Sequence, residues 1–419
     1  MAKTLLKIIK FYIVLYLSIS WLVDQGLMAS EQLTILQIIP LLLFLIIVYK
    51  KKGNVNLRPY SISIAFPLIV VASTVINNVS ALTTILNIRW LVLPYFTFLV
   101  IQNLNLSEKD LKKLIKFVFI VAIIHIPLAF IKYFILQWHG ETTLGLISHS
   151  GSTYFVAMAF AFILAYQKTN KKLINILLII GFLMVAVSSG KRALAFLIPA
   201  VFIIYIYLNR SNIKRFIPTF ITALIVSSLI FYVLVRMSPT LNPNRKVWGR
   251  FDIKYTFEYF FDYTTAERVS YKGTTVDRLA TTIYLVNEII STPKNIMLGL
   301  GGDKLSKSNT NLDTIEDLLG DVEYGINGLT WLAYQFGLIS AIIWFIFFFK
   351  YKNIANKIKK RTNDIYWSNY ANGLYITAII MSIFQFFYSA EYKNPAFISL
   401  VYILLVVADK YYKLRVNKT

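Results

Sequence analysis

Two cations at a glycine turn, and a third inside an apolar run, have the chemistry needed to bind an anion. Lys191 and Arg192 end the sequence SSGKR, which joins two apolar runs. Arg89 lies about eight residues inside another run, a depth of roughly 12 Å at 1.5 Å per residue. Such charges would suit a phosphate-bearing ligand at the mouth of a cavity. The alternatives are an internal ion pair for Arg89, and side chains of Lys191 and Arg192 that extend towards lipid phosphates.

Two carboxylates form a second candidate for chemistry. Asp321 and Glu323 are separated by one residue and precede an apolar run that starts near Leu329. A pair with this spacing is able to bind a divalent cation, or one of its members to act as a general base. A solvated helix end explains the pair equally well, and the sequence alone favours neither interpretation.

The segments that must hold these groups are almost all apolar. The 419 residues are 57% hydrophobic and 16% aromatic, with a mean hydropathy of +0.62. Apolar runs of membrane-spanning length recur too often for a soluble core, so we predict an all-α polytopic membrane protein. The twelve predicted spans are Ile8–Val23, Leu33–Tyr49, Ser61–Ile76, Ala81–Ile101, Phe117–Leu136, Tyr154–Tyr166, Leu173–Ser188, Ala193–Leu208, Phe216–Val235, Leu329–Phe349, Leu374–Phe387 and Ala396–Val407.

These spans divide the chain into three parts. Residues 1–235 would contain spans one to nine, and residues 328–419 would contain spans ten to twelve and a cytoplasmic tail. Residues 236–327 would form one large extracytoplasmic loop with short helices, and this is the only long polar interval in the sequence.

The positive charge is predicted to lie on one side of the membrane. The formal net charge is +23, and an even number of spans places both termini on the same side. The segments on that side hold 27 of the 43 Lys and Arg residues but only four of the 20 acids. The positive-inside rule therefore assigns both termini to the cytoplasm and the large loop to the outside. Because the charge follows the topology in this way, we expect no nucleic acid partner.

Several residues near the predicted span ends are typical of a membrane interface. Trp21, Trp138 and Trp331 fall near outer ends and Trp367 falls near an inner end, as expected of interfacial anchors. Lys132 lies near the outer end of the fifth span, where its side chain would extend to the surface.

The large loop contains four predicted features. Residues 236–250 include two prolines and a glycine, which indicates irregular structure. Residues 253–263 are strongly aromatic and would form a short helix on the lipid surface or over a cleft. Thr274–Ile290 is predicted as an amphipathic helix, and the sequence LGLGGD after it as tight turns rather than a nucleotide-binding loop. The apolar stripe of that helix would consist of Val276, Leu279, Ile283, Val286 and Ile290.

Absent and isolated residue types limit the possible chemistry. The chain has no Cys, which excludes disulfides, thiolate metal sites and cysteine nucleophiles. His125, His139 and His149 lack the spacing of metal ligands, so we interpret them as structural. We expect neither a metal nor a cofactor.

Four stretches of the sequence resemble the O-antigen polymerase and O-antigen ligase superfamily. They are SSGKRALAF, DRLATTIYLVNEII, which contains Arg278, the turn PKNIMLGLGGD, and NGLTWLAYQFGLISA, which starts at Asn327. Members of this superfamily have many spans and one large periplasmic loop late in the chain. The ligase branch places a histidine just before the asparagine that opens the span after the loop. Here that position is Ile326, which favours the polymerase branch.

The resemblance implies a metal-independent glycosyltransferase that polymerises polyprenyl-pyrophosphate-linked oligosaccharides into O-antigen or a similar surface polysaccharide. Its substrates would be undecaprenyl-pyrophosphate-linked glycans in the bacterial inner membrane, and membrane lipid and a chain-length regulator would be its partners. Glu323 or Asp321 would act as the catalytic base. The expected pyrophosphate-binding residues are Arg192, Arg278, Lys191 and Arg89.

A lipid-linked oligosaccharide flippase is the main alternative outside enzymes. It would also have many spans and a basic central cavity, although it has no evident need for a large outer loop. An O-antigen ligase is the alternative within the same superfamily.

Overall fold

The structure is a computed structural model, and it describes residues 1–24, 30–80, 91–136, 146–147, 152–166, 172–189, 191, 193–209, 213–238, 241–258, 278–301, 327–386 and 394–416. Within these ranges the chain is helical and contains no strand. The α-helices are α1 (Ala2–Asp24), α2 (Ser30–Gln37), α3 (Ile39–Lys50), α4 (Phe66–Ile76), α5 (Tyr95–Gln102), α6 (Glu108–Phe130), α7 (Ser152–Tyr166), α8 (Lys172–Ser188), α9 (Ala193–Leu208), α10 (Ile213–Met237), α11 (Arg278–Ile290), α12 (Pro293–Leu298), α13 (Gly328–Phe336), α14 (Leu338–Arg361), α15 (Ile365–Ile383) and α16 (Pro395–Tyr411). Short π-helical turns precede α4 and follow α6 and α16.

The apolar surface of the helices suggests a protein embedded in a membrane. Four helical segments are long and apolar enough to cross one, namely Ala2–Val23, Glu108–Ile135, Leu338–Arg361 and Pro395–Arg415. Large apolar side chains also lie on the outside of shorter helices, as with Leu173 at 70% exposure and Val75 at 68%. Contiguous exposed apolar surface is costly in water and favourable in lipid. The all-α prediction is confirmed for the described residues, whereas the number of spans stays a prediction.

Two predicted spans are interrupted, one beside a proline and one at a glycine. The second is divided into α2 and α3 beside Pro40, which has no backbone N–H to donate to a carbonyl one turn earlier. The tenth is divided into α13 and α14 at Gly337, whose φ of +87° is a conformation that side chains rarely permit. Apolar periodicity identified both segments as helical but did not indicate either break.

Helix α16 forms the centre of the bundle. Its side chains are buried along nearly its whole length, and it packs against α1, α5, α6, α14 and α15. Asn394 caps its start by accepting a hydrogen bond of 3.0 Å from the Phe397 backbone N–H. The central position of α16 brings the polar residues at its carboxyl end, beginning with Asp409, between the ends of α5 and α6.

Charged residues from α6, α15 and the chain end meet at one end of the bundle. Glu108 accepts hydrogen bonds from the Trp367 indole at 2.9 Å and from the Arg415 guanidinium at 2.9 and 3.2 Å. Lys112 lies 3.2 Å from both Glu108 and Asp364. We call this the ion-paired end, defined by Glu108, Lys112, Asp364 and Arg415.

The opposite end of the bundle is formed by the start of α14 and the turn between α8 and α9. Helix α14 runs from Leu338 to the ion-paired end, a length of about 36 Å at 1.5 Å per residue. Lys359, in its last turn, donates a hydrogen bond to the Leu208 carbonyl at the end of α9. The start of α9 therefore lies towards the other end, which we call the loop end because residues 238–258 and 291–301 adjoin it.

The tryptophans on α13 and α15 do not act as interfacial anchors. Trp331 is 3% exposed and Trp367 is fully buried, with its ring stacked on Tyr411 at 3.7 Å between centroids. The prediction for these two residues is wrong because the helix ends that carry them are covered by neighbouring helices. Trp138 lies outside the described residues.

Lys132 and His125 on α6 and its π-helical extension are both buried. The Lys132 ammonium lies 5.4 Å from the centre of the Trp21 ring, and the side chain is buried inside the protein. The prediction that it extends to the surface is therefore wrong. His125 Nδ1 lies 2.7 Å from the Val121 carbonyl oxygen, and the imidazole packs against Phe155. These contacts are consistent with the structural role predicted for His125, while His139 and His149 lie outside the described residues.

Candidate functional site

The turn between α8 and α9 holds Lys191 at the loop end. The Ser189 hydroxyl donates to the Ala186 carbonyl at 2.7 Å and accepts from the Lys191 backbone N–H at 3.2 Å. The Lys191 carbonyl in turn accepts from the Leu194 N–H at 3.0 Å in the first turn of α9. The Ser189 hydroxyl and a short turn thus fix the backbone at Lys191, whose side chain is partly buried.

A second set of cations follows α10, in a turn that the sequence indicated only as irregular. Arg236 donates from Nε to the Gly249 carbonyl at 2.9 Å and from Nη1 to the Tyr232 hydroxyl at 2.9 Å. Its guanidinium also lies 4.5 Å from the centre of the Trp248 ring, within cation–π range. Arg236 therefore fastens the far end of this turn back onto α10. We call residues 236–250 the outer basic turn.

A buried asparagine supports the outer basic turn from inside. Asn242 has no exposed surface, and its amide nitrogen contacts the carbonyl oxygens of Ser238 at 2.7 Å and Lys246 at 2.9 Å. A Cβ atom on Gly249 would lie 1.9 Å from the Asn242 Oδ1 atom, so only glycine fits there. The turn is therefore held by side-chain hydrogen bonds instead of a helix or strand.

The outer basic turn presents its charges outward. Arg245, Lys246 and Arg250 are exposed, and among the described residues none of the three pairs with a carboxylate. Trp248 stands among them with 51% of its surface exposed. Cations beside an exposed aromatic ring are suited to contact phosphate and sugar groups. The sequence signal was available, because RMSPTLNPNRKVWGR contains four basic residues and no acid.

Lys191 lies directly beside the outer basic turn. A small pocket between them is lined by Lys191 and Ala195 on one side and by Ser238 and Leu241 on the other. Its volume of about 10 Å³ is close to the minimum for one water molecule, too small for a pyrophosphate. The two cationic segments therefore adjoin each other at the loop end. The described residues form a wall of a site there, not a complete cavity.

Helix α11, which begins at Arg278, is attached to the start of α13. Asn327 caps α13 by accepting from the Thr330 N–H at 2.8 Å, and its amide nitrogen lies 3.4 Å from the Thr282 hydroxyl. Leu285 and Ile289 of α11 are buried. These contacts fix the axis of α11, while the side chain of Arg278 lies outside what the structure describes.

The helix predicted over Thr274–Ile290 exists from Arg278 onward, and the face that the protein covers differs from the predicted apolar stripe. Ile283 and Ile290, both in the predicted stripe, are 52% and 57% exposed. The covered face carries Leu285 and Ile289 instead. Residues 274–277 of the prediction lie outside the described residues.

The glycine cluster after α12 forms tight turns against α13, as predicted. The Leu300 and Gly301 N–H groups donate to the carbonyls of Tyr334 at 2.7 Å and Gln335 at 3.2 Å. Gly299 has a φ of +68°, and a Cβ there would lie 2.5 Å from the Tyr334 carbonyl oxygen. The backbone of residues 299–301 therefore packs directly on the backbone of α13, and it attaches this part of the loop to that helix.

Four of the predicted site residues lie outside the described residues: Arg89, Arg192, Asp321 and Glu323. The structure thus brings Lys191 to the outer basic turn and fixes the helix that starts at Arg278, and the grouping of the arginines with the carboxylates stays a prediction. Among the described residues no group of three His, Asp or Glu side chains is arranged to bind a metal.

No family model matches the sequence, and no curated protein matches it either. Any function must therefore be argued from the residues and their placement.

Proposed function

We propose that this protein is a membrane-embedded glycosyltransferase that polymerises polyprenyl-pyrophosphate-linked oligosaccharides. The observation that carries the proposal is the meeting of Lys191 with the outer basic turn at the end of an apolar bundle. The exposed cations of the outer basic turn, Arg245, Lys246 and Arg250, would attract an anionic substrate held in the membrane. The four stretches that resemble O-antigen polymerases include this same turn between α8 and α9.

The proposed topology follows from the distribution of charge. Twelve spans would place the ion-paired end and both termini in the cytoplasm and the loop end outside the inner membrane. Nucleotide sugars are cytoplasmic, so an outward-facing enzyme would use a donor that is already activated as a lipid pyrophosphate.

In the proposed reaction the acceptor hydroxyl oxygen bonds to the anomeric carbon of the donor sugar. The bond between that carbon and the pyrophosphate oxygen breaks, and its electron pair leaves with the polyprenyl pyrophosphate. Glu323, or Asp321 in its place, takes the hydroxyl proton. Arg192, Arg278, Lys191 and Arg89 stabilise the negative charge that develops on the leaving group. Lysine and arginine supply this charge without a metal ion.

The decisive experiment is reconstitution of purified protein with synthetic lipid-pyrophosphate repeat units. A ladder of products that persists in the presence of a chelator is the expected result. Repeat units moved across the bilayer without elongation would instead indicate the flippase alternative, and transfer to a lipid A acceptor would indicate the ligase alternative.

Substitution of the predicted arginines tests the charge assignment. Arg192→Ala or Arg278→Ala is expected to slow elongation about a hundredfold or more, a loss of about 3 to 4 kcal/mol of transition-state stabilisation. The matched control is Lys294→Ala, because Lys294 is an exposed cation on α12 with no proposed contact to substrate. Full elongation by either arginine variant at normal expression would refute the assignment.

Substitution of the carboxylates tests the base. Glu323→Gln is expected to abolish elongation while donor binding is retained, because the amide cannot accept the proton. Normal elongation in this variant, together with loss of elongation in Asp321→Asn, would transfer the role to Asp321.

The outer basic turn adds residues to this proposal that the sequence did not single out. The double substitution Arg245→Gln and Lys246→Gln is expected to weaken donor binding about tenfold or more, with elongation restored at high donor concentration. An unchanged apparent affinity would remove the outer basic turn from the substrate site without affecting the roles of Arg192 and Arg278.

A further inference from the structure

A polar cavity at the ion-paired end has no role in the proposed reaction. Its volume is about 540 Å³, within the range of small-molecule sites. Apolar side chains of Leu104, Leu106 and Leu414 line part of it. Its polar lining consists of Asn56, Gln102, Asn105, Ser107, Lys410 and Lys413.

The wall of the cavity is held by reciprocal hydrogen bonds between two asparagines. The Asn103 carbonyl oxygen accepts from the Asn56 backbone N–H at 2.7 Å, and the Asn103 amide donates to the Asn56 carbonyl at 2.9 Å. The segment before α4 is thereby fastened to the end of α5. These hydrogen bonds hold the Asn56 side of the cavity to the end of α5.

Two lysines on the last turns of the chain give the cavity a positive charge. Lys410 donates to the Leu104 carbonyl at 2.7 Å, and Lys413 pairs with the Asp409 carboxylate at 3.1 Å. Asp409 also accepts from the Gln102 amide at 3.1 Å, so its negative charge is shared. An ammonium group has three donors, and the hydrogen bonds named here use one from each lysine. Lys51 lies near enough for its charge to act on Lys410, which adds to the positive field.

The charges and the donors define the chemistry of a ligand. Lys410, Lys413 and the nearby Lys51 outnumber two carboxylates, Asp409 and the Asp110 group that accepts from the Ser107 hydroxyl at 2.7 Å, so the lining attracts an anion. Lysine is a common phosphate ligand, and the amides of Asn56 and Asn105 are able to hydrogen-bond phosphate or adjoining hydroxyl groups. The leucines would accommodate the apolar part of a phosphate ester. We propose that this cavity binds the phosphate group of an ester, either the headgroup of an anionic phospholipid or a soluble phosphate ester.

The site is independent of glycosyl transfer, because it lies at the end of the bundle opposite to the outer basic turn. Its occupancy is measured by binding alone. A failure of the proposed reaction would therefore leave it unaffected.

The test uses the full-length protein in nanodiscs of phosphatidylcholine, with and without phosphatidylglycerol. Native mass spectrometry would count the phosphatidylglycerol molecules retained, and thermal unfolding would report stabilisation by ligand. In a separate arm, glycerol 3-phosphate is added to protein in phosphatidylcholine alone. Retention of phosphatidylglycerol would identify a lipid, and stabilisation by glycerol 3-phosphate alone would identify a soluble ester.

Matched variants show whether the cavity itself binds the phosphate. Lys413→Gln and Asn105→Asp change exposed lining residues and are expected to weaken binding about tenfold, whereas Lys413→Arg retains it. Lys360→Gln removes an exposed lysine from the same end of the bundle, outside the cavity, and should leave binding unchanged. Equal losses in Lys413→Gln and Lys360→Gln would mean a diffuse surface effect and would overturn the proposal. Unchanged binding in Lys413→Gln and Asn105→Asp would overturn it as well.

Discussion

At the ion-paired end, Glu108, Lys112, Asp364 and Arg415 pair with one another, whereas Arg236 at the loop end bonds to neutral partners. Glu108 accepts hydrogen bonds from three side chains of the surrounding helices and chain end. Arg236, by contrast, donates to two backbone carbonyls and a tyrosine hydroxyl. The first arrangement holds helices together. The contacts of Arg236 fix the backbone of the outer basic turn, while its positive charge stays available to an anionic ligand.

The largest expected effect on stability is at Gly337, at the junction of α13 and α14. A Cβ on Gly337 would lie 2.2 Å from the Met297 carbonyl oxygen, and its φ is +87°. We expect Gly337→Ala to destabilise the protein by about 3 kcal/mol or more, because strain and a backbone clash add. The measurement is the unfolding midpoint of purified protein in detergent.

Gly53, near the ion-paired end, supplies the control for that substitution. It also has a positive φ, +79°, but a Cβ there meets nothing within 4 Å. Gly53→Ala should therefore cost about 1 kcal/mol, from backbone strain alone. Equal shifts in the two variants would show that the contact between the loop and the α13–α14 junction contributes nothing.

An intermediate effect is expected at Asn242 in the outer basic turn. Asn242→Ala removes the buried amide that donates to the carbonyls of Ser238 and Lys246, at a cost of about 2 kcal/mol that falls mainly on the turn. Hydrogen–deuterium exchange of residues 244–250 should increase strongly while exchange in α14 changes little.

Asn244 provides the comparison within the same turn. This exposed side chain accepts a single hydrogen bond, from the Arg250 N–H at 2.6 Å. Asn244→Ala should cost about 1 kcal/mol or less. If hydrogen–deuterium exchange of residues 244–250 is the same in Asn242→Ala as in the wild-type protein, the buried Asn242 side chain does not hold the turn.

The smallest effect is expected for the ion pairs. Glu108→Gln removes the charge that Lys112 and Arg415 share and should lower the unfolding free energy by about 1 to 2 kcal/mol. Glu258→Gln, at an exposed pair with Lys254 3.6 Å away near the loop end, should change it by less than about 0.5 kcal/mol. Equal changes in unfolding free energy for Glu108→Gln and Glu258→Gln would mean that the ion-paired end contributes no more to stability than a solvated surface pair.

The sequence predicted most of the longer helices because they lie in apolar runs. It did not predict which side of a helix is covered. On α11 the stripe with Ile283 and Ile290 has helical spacing, yet the protein covers Leu285 and Ile289 instead. In a membrane protein apolar residues face either lipid or protein, so periodicity does not distinguish the two faces.

The candidate site was predicted only in part for a different physical reason. SSGKR marked the turn that holds Lys191, because glycine and serine there have a clear local meaning. The outer basic turn depends on Asn242 and Arg236, whose partners are backbone carbonyls brought together by folding. Hydrogen bonds from side chains to backbone carbonyls leave no local pattern in the sequence. Residues 236–250, with their two prolines, were therefore predicted to be irregular.

The glycine contacts with α13 have a consequence for how the chain could vary. Gly301 is bonded to the carbonyl of Gln335, and Asn327 caps the same helix about 12 Å away, counted at 1.5 Å per residue. Residues 302–326, with Asp321 and Glu323 among them, join these two neighbouring points of attachment. Insertions or deletions between them would lengthen or shorten the segment that carries the two carboxylates and leave both attachments to α13 in place, so we expect this segment to vary more than the bundle.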